Sequence, residues 1–322
     1  MRTGEVFRIR EPTHEVAATA GIDGIFLNWR FCMAIARSLA GAGLALAVAL
    51  AVVAFPAPPI AEAQSGPAMK LAPHRAVYEI KLDRAKGGSG VSDLAGRMVY
   101  ELTGSACVGY TQTMRFVTRM TNQEGQLTIS DLRSSSWEDA VDGHFRFNST
   151  QYRNEKMTDA TDGDARRKAP SAEVRVELTK PDKKEVTLKG GLMFPMQHSI
   201  AVIEAARAGR TSLTTDLYDG SDKGEKVYST TAQIGKLRPP GSNAKLPVVK
   251  GAERLDQIPA WPVAISYFEP NSEARDAVPA YEISFIYFEN GVSRQLLIDY
   301  GEFSIRGTLR SIEFLAADSC DR

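Results

Sequence analysis

The stretch from Pro279 to Phe314 constrains the fold more than any other, because apolar and polar residues alternate along it as they do in β-strands. Asn290 and Gly291 separate two such runs, and this dipeptide is favoured in the two-residue type I′ turn of a β-hairpin. A hairpin closed at that turn has one continuously apolar face. The predicted pairs on that face are Tyr281 with Tyr300, Ile283 with Ile298, Phe285 with Leu296 and Tyr287 with Arg294.

A third run follows Gly301 and completes an antiparallel meander. Phe303 and Leu309 are in phase along this run, whereas Ile312 is out of phase with them. A change of phase inside a strand indicates an inserted residue, so we expect a β-bulge within residues 308–311.

The same alternation recurs through most of the chain and predicts about a dozen or more strands. The fold class is therefore all-β and mainly antiparallel, with the strand spacing of barrels and sandwiches. The alternating positions lie at 76–82, 98–102, 110–120, 127–137, 145–147, 174–178, 186–188, 213–217, 226–235 and 263–267.

One helix is predicted, from Pro195 to Ala208. Proline is favoured in the first turn of a helix, and Gly209 suits the position just after its end. A helix of this length fits a plug or cap on a sheet. His198 lies on this mostly apolar segment, so a packed or surface histidine is preferred over a catalytic one.

Three further segments carry local expectations. The polar stretch from Asn154 to Pro170 predicts a solvated hairpin loop. Leu246 to Val249 suggests a short edge strand, because proline does not serve a central ladder. Ile258 to Pro262 is expected to be a loop.

The first 63 residues differ from the rest of the chain. Arg37 precedes an uncharged, apolar run over residues 39–55, and Ala61 to Ala63 has the small-x-small pattern of a cleavage site. We interpret this region as a cleaved signal peptide, with an uncleaved membrane anchor as the alternative. Residues 1–63 then form an N-terminal extension and signal peptide, residues 64–322 form a single β domain, and Met33 is an alternative start.

The charge balance argues against a broad basic surface. The chain has 39 Lys and Arg against 39 Asp and Glu, so its formal net charge is zero. A neutral exported chain has no general basic field for nucleic acid or for an anionic membrane.

Two cysteines, Cys107 and Cys320, follow the predicted cleavage site, whereas Cys32 precedes it. An even number of cysteines in an exported chain favours a disulfide, with two free thiols as the alternative. Such a bond closes a loop of about two hundred residues and contributes on the order of 4–5 kcal/mol in the chain-entropy model.

No catalytic or metal-binding pattern emerges from the sequence, so no catalytic residue, metal ligand or cofactor site is predicted. His74, His144 and His198 lie far apart and lack metal-ligand spacing. None of the common nucleophile motifs is present.

Two acidic clusters have ordinary structural explanations. Asp216, Asp219, Asp222 and Glu225 surround two glycines, for which a turn stabilised by aspartate side chains is preferred over a weak cation site. Asp159, Asp162 and Asp164 lack the twelve-residue calcium loop and its closing glutamate.

Several longer strings resemble the cell-envelope integrity protein EipB family. They are LYDGSDKGEKVYSTTAQIGK at 217–236, WPVAISYFE at 261–269, YEISFIYFENGVSRQLLIDYGEFSIRG at 281–307 and CVGY at 107–110. The resemblance covers essentially the whole predicted mature chain, including both cysteines. It implies a periplasmic alphaproteobacterial protein, a broken or spiral β-barrel of about fourteen strands with a helix near its middle, and a Cys107–Cys320 disulfide.

The resemblance also implies a role in keeping the envelope intact under stress, without catalysis. The first hypothesis is therefore a non-enzymatic periplasmic factor that binds a protein partner or an envelope component. The second is a carrier of lipid or lipoprotein, suggested by inward-facing Met114, Phe116, Phe145 and Phe147, for which an ordinary packed core is the alternative. An envelope hydrolase is a weaker third.

Overall fold

The computed structural model describes residues 70–139, 143–167, 173–242, 246–269 and 278–320, which lie within one compact unit, Ala63–Arg322. The predicted signal peptide and its cleavage point after Ala63 lie outside the described residues. The strands are β1 His74–Ala85, β2 Asp93–Ser105, β3 Gly109–Thr121, β4 Leu127–Asp139, β5 His144–Arg153, β6 Lys156–Arg167, β7 Val174–Lys180, β8 Lys184–Leu188, β9 Ser212–Leu217, β10 Tyr228–Ile234, β11 Ala260–Phe268, β12 Tyr281–Phe288, β13 Ser293–Asp299 and β14 Phe303–Phe314, and the α-helix is α1 Pro195–Arg207.

All these strands form one antiparallel sheet in the order β8-β7-β6-β5-β4-β3-β2-β1-β14-β13-β12-β11-β10-β9. The first and last strands, β1 and β14, pair in the middle of the sheet. The two edge strands, β8 and β9, are consecutive in the chain and are joined through α1. The sheet is therefore a curled, unclosed barrel, which confirms the predicted fold class.

A short seam lies between the two edges. Met193, which follows β8, makes a parallel bridge with Leu217 at the end of β9. The Met193 N–H donates to the Asp216 carbonyl at 2.8 Å, and the Tyr218 N–H donates to the Met193 carbonyl at 2.9 Å. These bonds bring the edges together without a continuous ladder.

Two apolar cores formed by described residues lie inside the sheet, on the face predicted from the alternation. The first, here called the helix core, packs α1 against β9 to β12 and the ends of β2 and β3. Its buried residues are Leu71, Leu102, Tyr110, Met196, Val202, Ile203, Ala205, Ala206, Leu217, Tyr228, Ala232, Ile234, Trp261, Val263, Ile265, Tyr267 and Tyr287. The second, the phenylalanine core, consists of Phe145, Phe147, Ala165, Val174, Val176, Leu178, Leu188, Leu192, Phe194 and Tyr218.

The predicted helix is confirmed within one residue of its end. Pro195 occupies its first turn, and Gly209 adopts a φ of +69° just beyond the C-cap. The Arg210 N–H donates to the Ala205 carbonyl at 2.9 Å, which satisfies a carbonyl that the helix leaves unpaired. Within the described residues, no helix is long and apolar enough to cross a bilayer.

The β12–β13 hairpin forms, but its predicted turn type is wrong. The Gly291 N–H donates to the Phe288 carbonyl and the Phe288 N–H to the Val292 carbonyl, both at 2.9 Å, which leaves a three-residue loop. Gly291 has a φ of +86°, as expected for the left-handed residue that ends such a loop. The extra residue pairs Tyr287 with Ser293, so the predicted pair with Arg294 does not form.

A bulge then restores the predicted register. Gln295 adopts a φ of +56°, and beyond it Ser284 pairs with Leu297 and Ile283 with Ile298. The expected bulge in β14 is also confirmed, because the pairing with β1 skips Arg310.

The expected loop from Asn154 to Pro170 is wrong for most of its length, because Lys156–Arg167 is strand β6. The turn is confined to Asn154 and Glu155, which have φ values of 47° and 66°. Three successive inward-facing residues of β6, Thr161, Gly163 and Ala165, are small and buried. Small buried residues do not produce the alternation of large apolar and polar residues that predicts the other strands.

Two shorter expectations are also corrected. Residues 246–249 form no strand, and the adjacent Lys250 makes a single bridge with Ser311. Of the expected loop from Ile258 to Pro262, only the first two residues lie outside a strand, because β11 begins at Ala260 and pairs with β12 through Pro262.

Candidate functional site

On part of the inner face of the sheet, the apolar side chains are only partly buried. Met114 and Phe116 of β3 point inward and are half-buried. Met98 and Leu132, which pair with Phe116 across the two neighbouring strands, are half-buried too. These four residues (Met98, Met114, Phe116 and Leu132), here called the inner patch, form a partly accessible apolar surface on the inside of the sheet.

The four aromatic and methionine positions predicted to line a hollow therefore divide into two groups. Phe145 and Phe147 belong to the phenylalanine core and are buried. The Phe145 ring stacks on Phe194 at a centroid distance of 5.2 Å, and the Phe147 ring meets Tyr218 edge-on at 5.7 Å. The packed-core alternative is correct for these two, whereas Met114 and Phe116 stay partly accessible.

The helix α1 is held at its N-terminus by Glu138, the penultimate residue of β4. The register places Glu138 opposite Tyr110 and Phe145, so its side chain points inward, and it is 1% exposed. One carboxylate oxygen accepts the Met196 N–H at 2.6 Å and the other accepts the Gln197 N–H at 2.8 Å. These amides have no hydrogen-bond partner within the helix. The positive end of the helix dipole also stabilises a negatively charged carboxylate at this position.

Burial raises the pKa of Glu138 to about 7, although both amide N–H groups and the nearby Arg167 guanidinium oppose the shift. Arg167 donates to the Leu192 carbonyl at 2.7 Å and lies over the Phe194 ring at 5.1 Å. Both oxygens of Glu138 accept from N–H groups, an arrangement that suits the carboxylate, which can only accept hydrogen bonds. Glu138 thus ties the helix to the sheet through a group that titrates near neutral pH.

The structure joins Cys107 to Cys320 in a disulfide with a Cα–Cα distance of 5.4 Å. Cys107 lies in the β2–β3 connection, and Cys320 lies in the tail that follows β14. The start of that tail is also fixed, because the Leu315 N–H donates to the Pro73 carbonyl at 2.9 Å.

The cysteine-bearing connection packs closely on the end of β4. Gly109 has a φ of +83°, and a Cβ there would lie 2.8 Å from the Glu138 carbonyl oxygen and 2.8 Å from the Trp137 indole nitrogen. A glycine is therefore required at this contact. The disulfide and the carboxylate that holds α1 are thus supported by the same strand end.

The three histidines singled out in the sequence lie apart. His198 contacts Thr230, with 3.2 Å between Nε2 and Oγ1, and burial lowers its pKa to about 4. His144 contacts Asp164, with 2.7 Å between Nε2 and Oδ2, and His74 contacts the Ala72 carbonyl. Across the described ranges, no group of three potential ligands is placed to hold a metal ion.

The acidic cluster between β9 and β10 is a packed turn, as predicted. Asp219 accepts the Ser221 N–H at 2.9 Å through its side chain. Lys226 contacts Glu269 at 2.6 Å and Asp222 at 3.3 Å. A Cβ on Gly220 would lie 2.3 Å from the Phe147 ring, so the turn rests on the phenylalanine core beside the seam.

Sequence reasoning missed Glu138, because no alternation of apolar and polar residues marks its position. The run Ser134, Ser135, Ser136, Trp137, Glu138 is too polar to show a buried face. Only the pairing of β4 with β3, which places Glu138 opposite the inward-facing Tyr110, shows that this glutamate points inside.

Comparison with known proteins gives consistent results. The family described as EipB-like matches residues 65–316. The chain is 38% identical over 252 residues to the cell envelope integrity protein EipB of Brucella abortus (strain 2308), covering 78% of this chain and 87% of that protein.

A solved structure also matches. It is a crystal structure from Brucella abortus described as a beta-barrel-like protein of a domain of unknown function, with a TM-score of 0.70 and 35% identity. The match covers 77% of this chain and all of that chain. Neither relative's name indicates an enzymatic activity.

Proposed function

Because the chain belongs to the EipB-like family, we propose that it is a non-enzymatic factor that maintains cell-envelope integrity from the periplasm. The observation that carries this proposal is the 38% identity to a protein named for envelope integrity, which extends over 87% of that relative. The structure adds a physical basis for action by binding, since the inner patch offers partly accessible apolar side chains within a curled sheet. The predicted signal peptide would place the protein in the periplasm, and the disulfide suits that oxidising compartment.

The experiment combines a deletion strain with in-cell crosslinking. Loss of the gene is expected to sensitise cells to detergent and to cell-wall antibiotics, and expression of the exported chain is expected to restore resistance. A photo-reactive residue at position 116 should capture an envelope protein or lipid, whereas one at position 113, on the outer face of the same strand, should not capture that molecule. Unchanged envelope resistance in the deletion strain would refute the proposed role.

The inner patch also favours a second candidate, a carrier of lipid or lipoprotein. The residues that support it are Met114 and Phe116, which are half-buried although they point inward. Native mass spectrometry of protein purified without detergent should then show bound lipid. Phe116→Asp should abolish uptake of a fluorescent acyl probe, whereas Thr113→Asp, which adds the same charge outside, should leave uptake unchanged. Absence of both bound lipid and probe uptake in the wild type would exclude the carrier function.

A further inference from the structure

Four arginines converge on the outer face of β2, β3 and β4, although the chain as a whole is neutral. Arg97 is directly opposite Val117, and Arg115 and Arg119 are the next outward residues on either side of Val117. Arg133 is opposite Arg115 on the following strand. Residues at such directly opposite and diagonal positions lie within reach of each other's long side chains. Strand pairing thus creates a local basic cluster that the composition did not predict.

Carboxylates neutralise only part of this cluster. Asp131 accepts from both Arg115 and Arg133, at 2.9 Å and 2.8 Å. Glu79 is opposite Arg97 in the register, but its carboxylate is bound by Arg310. Within the described part of the chain, no ion pair engages Arg97 or Arg119, and both are exposed.

Apolar side chains surround these arginines on the same face. Val99 and Val117 line a groove of about 680 Å³. Ile129 also lines it, and Leu127, Ile129 and Met157 are exposed by 47%, 42% and 57%. These are three of the six large apolar side chains found exposed among the described residues.

The exposed apolar residues lie beside the tips of two neighbouring hairpins. Leu127 and Ile129 begin β4 just after the β3–β4 turn, and Met157 follows the β5–β6 turn. Tyr152 connects the two groups, because it pairs with both Asp131 and Met157 and its ring lies 4.9 Å from the Arg133 guanidinium. Two hairpin tips can enter a fluid surface together without a partner of matching shape.

We propose that this arginine face (Arg97, Arg115, Arg119 and Arg133, with Leu127, Ile129 and Met157) docks the protein on an anionic phospholipid surface. Guanidinium groups bind lipid phosphates through paired, charge-assisted hydrogen bonds. The exposed apolar side chains enter the headgroup region, as they do in other peripheral proteins. The surface lies on the outside of the sheet, away from the inner patch, so docking leaves the interior free.

The test measures binding of the purified, oxidised protein to sedimented vesicles. Vesicles of phosphatidylglycerol and phosphatidylethanolamine are expected to bind the protein at low salt, whereas pure phosphatidylcholine vesicles bind it weakly, and high salt should release it. Arg97→Glu with Arg119→Glu should weaken binding to anionic vesicles by about tenfold or more. Leu127→Ser with Met157→Ser should weaken it severalfold.

A matched control distinguishes loss of this binding site from the effect of a changed net charge. Lys183 and Lys189 are exposed on the β7–β8 hairpin region, and Lys183→Glu with Lys189→Glu changes the net charge equally. This control should bind vesicles like the wild type, and circular dichroism and melting should show that all variants are folded. Equal loss in the control, equal binding to neutral and anionic vesicles, or binding to poly-glutamate but to no vesicle would each overturn the proposal. The envelope role is tested separately by the deletion strain and does not depend on this result.

Discussion

Glu138 makes the stability of the protein depend on pH in a direction that can be worked out. Burial raises its pKa from 4.5 to about 7. Between pH 4.5 and pH 7 the carboxyl group is therefore mostly protonated in the folded chain and mostly ionised in the unfolded chain. Between these two pH values the free energy of unfolding must therefore fall as the pH rises. Above about pH 7 the contribution is constant, because both states are then ionised.

We expect Glu138→Gln to remove this dependence. The free energy of unfolding of the wild type, relative to that of the variant, should fall by roughly 2–4 kcal/mol between pH 4.5 and pH 7. Denaturant titrations at several pH values measure this difference directly. Glu124→Gln, in the exposed β3–β4 turn, is the control and should follow the wild-type curve at every pH. A constant difference between wild type and Glu138→Gln would contradict the assignment.

His198 should act in the opposite direction. Burial lowers its pKa from 6.5 to about 4. Between these pH values the imidazole is therefore mostly protonated in the unfolded chain and mostly neutral in the folded chain. Stability is therefore lost as the pH falls from 6.5 towards 4. We expect His198→Gln, measured by the same titrations, to lose less stability on acidification than the wild type. A steeper acid loss in the variant would show that His198 is protonated in the folded chain.

At the scale of elements, β6 depends on a glycine because two large side chains from its neighbours meet over it. A Cβ on Gly163 would lie 2.5 Å from the Phe147 ring and 2.9 Å from Leu178. Gly163→Ala should therefore lower the free energy of unfolding by about 1–3 kcal/mol. Gly87→Ala, in the β1–β2 turn with nothing within 4 Å of the new Cβ, should be neutral in the same denaturation assay. Equal stability of the two variants would mean that the phenylalanine core rearranges to accommodate the extra methyl group without loss of stability.

The same strand shows where sequence patterns succeed and where they fail. Alternation of large apolar residues predicted β1, β3 and β11 because their inward residues must fill space by themselves. In β6 the space is filled by Phe147 and Leu178 from adjacent strands, so its own inward residues are small. The sequence of one strand cannot show that its neighbours cover it.

The candidate site was predictable only in part, for a similar reason. Met114 and Phe116 were recognised as inward-facing, but whether an inward side chain is packed or accessible depends on how tightly the sheet curls. Glu138 was missed because its two partners lie on a helix 58 and 59 residues away. Helix ends, in contrast, are set by local backbone preferences, and so Pro195 and Gly209 gave nearly correct bounds.

Across the described fold, the first and last strands pair in the middle of the sheet, and its free edges meet at the seam. The pairing of β1 with β14 joins the two halves of the sheet, and the Cys107–Cys320 bond links the tail that follows β14 to the connection before β3. The disulfide spans 213 residues of sequence, so breaking it releases a very long loop in the unfolded chain. In the chain-entropy account the effect on stability then comes mainly from the unfolded state.

We expect Cys107→Ser, Cys320→Ser and the double variant to lower the free energy of unfolding by the same amount, about 2–5 kcal/mol, because each change removes the same cross-link. Guanidinium denaturation of oxidised protein measures the loss, and the abundance of the exported protein in cells should fall with it. The reduced wild type supplies the internal control, since in the presence of a strong reductant all four proteins should unfold at similar midpoints. Coincident midpoints for oxidised and reduced wild type would show that the bond does not stabilise the fold. A double variant less stable than either single one would instead assign separate packing roles to the two side chains, because loss of a shared bond cannot be counted twice.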